Sequence, residues 1–346
     1  MNDIQRIVFI SPYGHHGTYS GARHRVEELC KALLESNQEL EIICLSPWRP
    51  PEGVKHVRFS LDDSNLKRLL KSVWLTLRIL TLRPKLVISE SPIAPLSFGR
   101  FKVFHVIHDA KFATQFARKG GNAVRYMHWL SARIANKIIT VSKAEKLRIC
   151  SALNTAPNNV VVSYNGLSNI WLSTPLPEVG IQRDYDLLYV SNLASHKGHL
   201  SLLESLYGCS LRILFVGSDF GEKQKCVEFA SFYKMDVTFI SNLSEKELIE
   251  AYDNSKVFIF PSKLEGFGIP FLEARARGLP VLANDIPVFR ELQSVMGGEV
   301  IDFDDKVFLI EKIRTLLLEE HIQPSLDDFL WESIAQKLVE KGLVLR

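Results

Sequence analysis

A chain of 346 residues exceeds the size at which one hydrophobic core usually stops growing, so two domains are expected. Its 46% hydrophobic and 23% charged residues are those of an ordinary globular enzyme and exclude a disordered chain. The net charge of +3 hides an asymmetry: residues 1–170 hold 24 Lys+Arg against 12 Asp+Glu, a formal +12, and residues 171–346 hold 18 against 27, a formal −9. Such a split is either ordinary variation between domains or a basic half that faces an anionic surface. Five cysteines, Cys30, Cys44, Cys150, Cys209 and Cys226, are odd in number and have no C-x-x-C spacing. They read as buried thiols in a reducing compartment, not as a disulfide framework or a zinc site. No apolar run approaches the roughly eighteen residues of a membrane span, and the opening MNDIQRIVFISPYG lacks the pattern of a secretory leader. The expected compartment is therefore the cytoplasm.

Residues 6–11 read as a strand, followed by a glycine-rich loop containing Gly14, His15, His16 and Gly17, and then a helix over 22–34. Strand, loop and helix start collect backbone N–H groups at one place, but the glycines lack the G-x-G-x-x-G spacing of a dinucleotide site. A strand over 41–45 and a proline-rich loop over 48–53 come next. Leu66, Leu69, Leu70, Val73, Trp74, Leu77 and Leu80 then recur at spacings of three and four, so they share one helical face. Lys67, Arg68, Lys71, Arg78 and Arg83 decorate the remainder. Such a helix either packs its stripe into a core or lies on an anionic bilayer, which makes residues 66–85 the candidate membrane surface.

Two further strands, 86–89 and 102–107, lead to His108 and Asp109, placed where ligands bind in open α/β sheets. A helical segment passes through His128 and Ala135. Residues 137–142 read as a strand with Ser142 as the cap of the next helix and Glu145 three residues on, the spacing of a capping box. A strand over 160–164 ends at the turn Asn165-Gly166. The polar, proline-bearing segment WLSTPLPEVGIQR is the best linker candidate.

A second series of short apolar strands begins at Asp186 and alternates with helices, for example over 245–254, which implies parallel sheets with right-handed crossovers. Within it, residues 257–260 form a buried strand bounded by Pro261. Gly266 and Gly268 open a loop to close backbone approach, and Pro270 starts a helix that carries residues 271–277 and stops at Gly278. This arrangement aims a helix N-terminus at one spot and suits a diphosphate. Glu265 and Glu273 flank the spot and are better fitted to accept from sugar and ribose hydroxyls than to sit beside phosphate. Asp302-Phe303-Asp304 spells D-x-D but reads as surface charge, so no metal ligand is assigned.

The run E-G-F-G-I-P-F-L-E, with its two glutamates separated by seven residues, followed by Ala274 to Val281, resembles the signature of glycosyltransferase family 4, whose members retain anomeric configuration and have the GT-B fold. The resemblance is specific there and covers nearly the whole chain in order, including the VIHDAKF, TVSKAEK and VVSYNG landmarks. It implies two Rossmann-like α/β domains with parallel sheets facing across a cleft. The expected division is an acceptor-side domain over 1–172, a linker over 173–184, a nucleotide-sugar domain over 185–325, and a C-terminal helix over 326–346 that crosses back towards the first domain.

What the resemblance implies chemically is a retaining, metal-independent hexosyltransferase that moves a sugar from a UDP- or GDP-sugar to a hydroxyl of a lipid-linked or cell-envelope glycan. It would need no further cofactor. Its partners would be the donor, the glycan or glycolipid acceptor and an anionic membrane surface, and it would work in the cytoplasm, peripheral on the inner face of the membrane. Donor binding falls to Asn192, Lys197, Glu265, Gly266, Phe267, Gly268, Ile269 and Glu273. Catalytic weight falls to His108, Lys197 and Glu265, and the acceptor side to Gly14, His15, His16 and Gly17. Asn192 departs from the pattern, which has arginine there, so Lys263, Arg23 or Arg25 are candidates for the missing charge. A GT-B nucleotide-sugar 2-epimerase is the alternative enzyme. A nucleic-acid-binding role is disfavoured because the basic residues are spread without aromatic platforms.

Overall fold

The computed structural model describes residues 5–12, 21–36, 39–61, 65–91, 93–117, 121–178, 180–320 and 322–340. The loop residues Gly14, His15, His16 and Gly17 lie outside them. Contacts divide the chain into two units, one running to Gly166 and resuming at Asp327, the other spanning Leu167–Leu326. The segment over 173–184 belongs to the second unit, with its contacts there.

The first unit runs β1 (Gln5–Ile10), α1 (Gly21–Ser36), β2 (Leu40–Ser46), β3 (Lys55–Arg58), α2 (Asn65–Leu82), β4 (Leu86–Ser89), β5 (Lys102–Ile107), α3 (Gly121–Ile134), β6 (Lys137–Thr140), α4 (Lys143–Leu153) and β7 (Val160–Val162). Its seven strands are parallel in the order β3-β2-β1-β4-β5-β6-β7. β1 shows why the strands read as apolar runs without alternation: Ile7 and Phe9 enter one core with α1, while Val8 and Ile10 enter the opposite core with Leu75 and Ile79 of α2. β3 was not apparent from composition, because as an edge strand it exposes most of the residues KHVR.

The apolar stripe read on α2 is real, but most of its described part faces solvent. Leu75, Ile79 and Ser72 are buried, whereas Leu70, Val73, Trp74 and Leu77 are exposed. The packed face is therefore the narrow one opposite the stripe. The side chains of residues 62–69 lie outside the described set. The capping box expected at α4 is half formed: Ser142 Oγ accepts from Glu145 N at 3.0 Å, but the Glu145 carboxylate reaches Ala110 N at 2.6 Å instead of the cap. It also pairs with Arg148.

The second unit runs α5 (Asn169–Ser173), β8 (Tyr185–Val190), α6 (His199–Leu206), β9 (Arg212–Val216), α7 (Lys223–Phe232), β10 (Asp236–Ile240), α8 (Glu245–Asp253), β11 (Ser255–Phe260), α9 (Ile269–Ala276), β12 (Val281–Asn284), α10 (Pro287–Met296), β13 (Glu299–Ile301) and α11 (Lys306–Leu316). Six parallel strands lie in the order β10-β9-β8-β11-β12-β13. α8 begins with a complete capping box between Ser244 and Glu247. Arg277, fully buried behind α9, donates to Asp253 and to the carbonyls of Thr174 and Pro175, which fixes the entry of the chain into this unit. The last described helix is α12 (Trp331–Glu340), whose Trp331, Ile334, Ala335 and Leu338 complete the core under α1 of the first unit.

Buried histidines are expected to make both units acid-sensitive. Burial pushes His128 down to about 4 and His199 to about 3, and pushes His105, hydrogen-bonded to His128 at 2.9 Å, down as well. A base whose folded value lies below its usual 6.5 favours folding above that value and loses the benefit as pH falls towards the folded value. Urea midpoints are expected to drop between pH 6.5 and 4, each such histidine contributing up to ~1.4 kcal/mol per pH unit. His199, tilted against the Tyr189 ring with neither ring nitrogen partnered among the described residues, is the one to test. His199→Phe should flatten the decline, and an unchanged slope would place the acid sensitivity elsewhere.

Candidate functional site

In each sheet, strand order reverses at one place, and in a doubly wound sheet ligands bind outside the carboxyl ends of the strands there. The reversal falls between β1 and β4 in the first unit and between β8 and β11 in the second. Both places carry polar side chains joined to each other.

In the second unit, β8 leads to Asn192 and Lys197, and β11 leads to the glycine turn. Tyr189 OH donates to Lys197 O at 2.9 Å, and Lys263 N donates to His196 O at 3.0 Å, so the two loops are stitched together. Lys197 Nζ then lies 2.6 Å from Glu265 Oε1, with both side chains mostly buried. A charge-assisted bond of this kind holds each partner's geometry. Gly268 caps α9 at φ +100, and among the described residues no side chain caps the helix start. A Cβ at Gly268 would meet Phe289 at 3.0 Å in a conformation that L side chains rarely adopt. The turn therefore needs glycine at 268 because Phe289 packs against it, and Gly266 and Ile269 on either side stay partly exposed while Phe267 is buried.

Glu273 lies one turn into α9, 5% exposed, and takes a hydrogen bond of 2.8 Å from Tyr252 OH of α8. Burial pushes its carboxyl up to about 7 against the opposing pull of Tyr252. The two glutamates of the motif thus have separate settings, Glu265 against a cation and Glu273 against a phenol. Asn192 is exposed at the end of β8. Of the residues considered for the missing charge, Arg23 pairs with Glu27 at 2.9 Å. Arg25 is buried, its guanidinium lowered to about 10 by desolvation, and it donates to Tyr164 O, Asn165 Oδ1 and Ser163 Oγ. Lys263, exposed at the rim of a pocket of about 180 Å³ with Gly198, Ser201 and Lys306, is the candidate in this unit.

In the first unit, the ends of β1, β4 and β5 converge. Ser11 Oγ donates to Glu90 Oε2 at 2.6 Å, and His108 Nε2 lies 2.8 Å from Glu90 Oε1. Glu90 is buried and His108 partly open, so the imidazole is oriented by a carboxylate behind it and presents its other edge outward. Glu145 pins Ala110, two residues beyond His108, and so steadies the same loop. Glu90 was missed by the sequence reading although it follows an apolar strand just as His108 does; Ser11 carried no signal of its own. Asp109 is exposed and accepts from Lys111 N of its own turn. Asp302 likewise accepts from Asp304 N, and among the described residues no three His, Cys, Asp or Glu side chains are grouped to hold a metal ion.

Two family descriptions match the chain, "Glycosyltransferase Family 4" over residues 19–168 and "Glycosyl transferases group 1" over residues 177–329. An uncharacterised glycosyltransferase of Methanocaldococcus jannaschii is 30% identical over 204 residues, 52% of each chain. The O-antigen chain mannosyltransferase of Salmonella typhimurium is 27% identical over 241 residues, 68% of this chain and 66% of the relative. The chain thus spans between half and two thirds of these relatives. Sucrose-phosphate synthase of Thermosynechococcus elongatus shares the fold, with a TM-score of 0.75 at 16% identity over 98% of each chain.

Proposed function

We propose, for a chain that belongs to glycosyltransferase family 4 and has its two-domain GT-B fold, the transfer of a hexose from a nucleoside-diphosphate donor to a hydroxyl of a lipid-linked or cell-envelope glycan. The observation that carries this reading is the Lys197–Glu265 pair at the reversal point of the second sheet, beside the start of α9 with its glycine cap. A departing nucleoside diphosphate develops negative charge. In this reading Lys197 and the N-terminus of α9 behind Gly268 stabilise it. When the diphosphate binds, Glu265 is released to accept sugar hydroxyls, and Glu273 accepts from the ribose. No residue acts as covalent nucleophile: the acceptor oxygen bonds to the anomeric carbon as the bond to the phosphate breaks, and the acceptor proton passes to the leaving phosphate on the same face. Configuration is thereby retained.

In this reading the first unit serves the acceptor, with His108 donating to or accepting from an acceptor hydroxyl under the control of Glu90. The O-antigen mannosyltransferase among the relatives supports an envelope glycan as acceptor. Charge stabilisation by Lys197 and amides leaves no step that calls for a divalent ion, and the enzyme would work in the cytoplasm. The test is titration calorimetry with UDP, GDP and their common sugars in EDTA. One nucleotide is expected to bind with micromolar affinity and to raise the melting temperature. Absence of binding by every nucleotide, with and without added Mg²⁺, would overturn the reading. Binding that requires Mg²⁺ would overturn its metal-independent part.

A further inference from the structure

α2 carries apolar residues on two opposite faces, and only one is covered. Its core face buries Leu75 and Ile79, while Leu70 is 61% exposed, Val73 55%, Trp74 45% and Leu77 60%. At about 100° per residue these four form one stripe, with Lys71 and Arg78 along one flank. Along the other flank runs the segment after β4, tied to the helix by Leu96 N donating to Thr76 Oγ1 at 3.4 Å. That segment adds exposed Leu96 and Phe98, and Phe98 holds a left-handed φ of +48, a conformation costly for a bulky residue. A soluble protein rarely leaves so continuous an apolar strip uncovered.

The strip ends at a cavity of about 220 Å³ lined by Leu80, Arg83, Pro84, Arg100 and Phe101. Neither Arg83 nor Arg100 has an ion-pair partner among the described residues. Arg83 also sits just past the end of α2 at φ +48, where glycine would be unstrained. Two unpaired guanidinium groups beside an apolar strip match a phosphate joined to acyl chains. The whole first half carries the charge to support this, at a formal +12 for residues 1–170.

We propose that the α2 face of the first unit docks on an anionic phospholipid bilayer, with Leu70, Val73, Trp74, Leu77 and Phe98 entering the headgroup boundary and Arg83 and Arg100 holding a lipid phosphate at the cavity. Long basic side chains suit this position because their stems lie along the apolar layer while their charges stay at its edge. The surface names the partner of the transferase reading and rests on it only for the acceptor's location. Vesicle binding needs neither donor nor acceptor, so its failure and the failure of that reading are separate results.

The test is co-sedimentation of the full chain with vesicles of phosphatidylcholine alone or with 30 mol% phosphatidylglycerol (roughly the anionic content that gives such surfaces their potential). Binding to the anionic vesicles is expected to be at least ~10-fold tighter and to weaken with salt. Val73→Asp with Leu77→Asp should abolish it. Arg83→Glu with Arg100→Glu should remove the preference for phosphatidylglycerol, and circular dichroism reports whether each variant is folded. In the unaltered protein, brominated lipid should quench one tryptophan, and the quenching should vanish in Trp74→Phe; this arm stands even if the charged variants do not fold. Equal binding to both vesicle types, quenching that survives Trp74→Phe, or a dimer in solution that Leu77→Asp dissociates would each overturn the proposal. So would displacement from vesicles by millimolar glycerol 3-phosphate, which would assign the arginines to a free phosphate.

Discussion

Lys197→Met is expected to lower turnover by ~10²–10³-fold, the 2.7–4 kcal/mol that removal of one preorganised donor to a developing negative charge typically costs. The same substitution strands Glu265, whose carboxylate is mostly buried and has Lys197 as its partner at 2.6 Å. A loss of activity by itself would therefore not separate a role on the leaving group from a role in shaping the loop. The double variant Lys197→Met/Glu265→Gln removes both charges and restores a neutral, well-sized pair. Its melting temperature is expected to return towards that of the unaltered protein while turnover stays at the level of the single variant. Lys197→Arg keeps the charge and should retain nucleotide binding with reduced turnover, because a guanidinium does not place one point charge where an ammonium does. A double variant that regains both stability and turnover would make Lys197 a structural partner only.

The segment from β11 to α9 was legible because its punctuation is local. An apolar strand, two glycines and a proline at a helix start have few ways to fold, and the Gly268 cap is what that spacing demands. The periodicity of α2 was equally visible, but period alone says which residues share a face and not which face is covered. That depended on Leu75 and Ile79 finding Val8 and Ile10 across the sheet. Long-range polar partners were hidden for a different reason. Tyr252 and Glu273 are 21 positions apart and meet only because α8 and α9 flank β11. Glu145 looked like half of a capping box, and local rules gave no hint that Ala110 would compete for its carboxylate. Glu90 is the instructive omission: the rule that found His108 at a strand end applies to it without change, and the resulting pair ties β1, β4 and β5 together through Ser11.

Glu273→Gln is expected to stabilise the protein and weaken its hold on the donor at once. The Glu273 carboxyl is raised from its usual 4.5 to about 7 by burial, so the folded state keeps a proton that the unfolded chain has already released. Stability therefore falls as pH rises from 4.5 to about 7 and stays low above it. That interval corresponds to ~3 kcal/mol at about 1.4 kcal/mol per unit. Glutamine has the same shape, accepts from Tyr252 OH and carries no charge, so the variant should be more stable by ~1–3 kcal/mol at pH 8 and no different at pH 5. A strained or costly group kept in a fold needs a use, and the proposed use is a charged acceptor for the ribose hydroxyls. The variant should then bind the nucleotide ~10–100-fold more weakly at pH 8, the cost of losing a hydrogen bond to a charged group. In the unaltered protein, affinity should rise with pH through about 7 as the carboxylate forms. A nucleotide lacking the ribose 2′-hydroxyl sharpens the result, since it should bind the variant and the unaltered protein more nearly equally. Stabilisation at pH 8 with undiminished nucleotide affinity would leave Glu273 a buried charge without a part in donor binding, and would move the ribose to another acceptor.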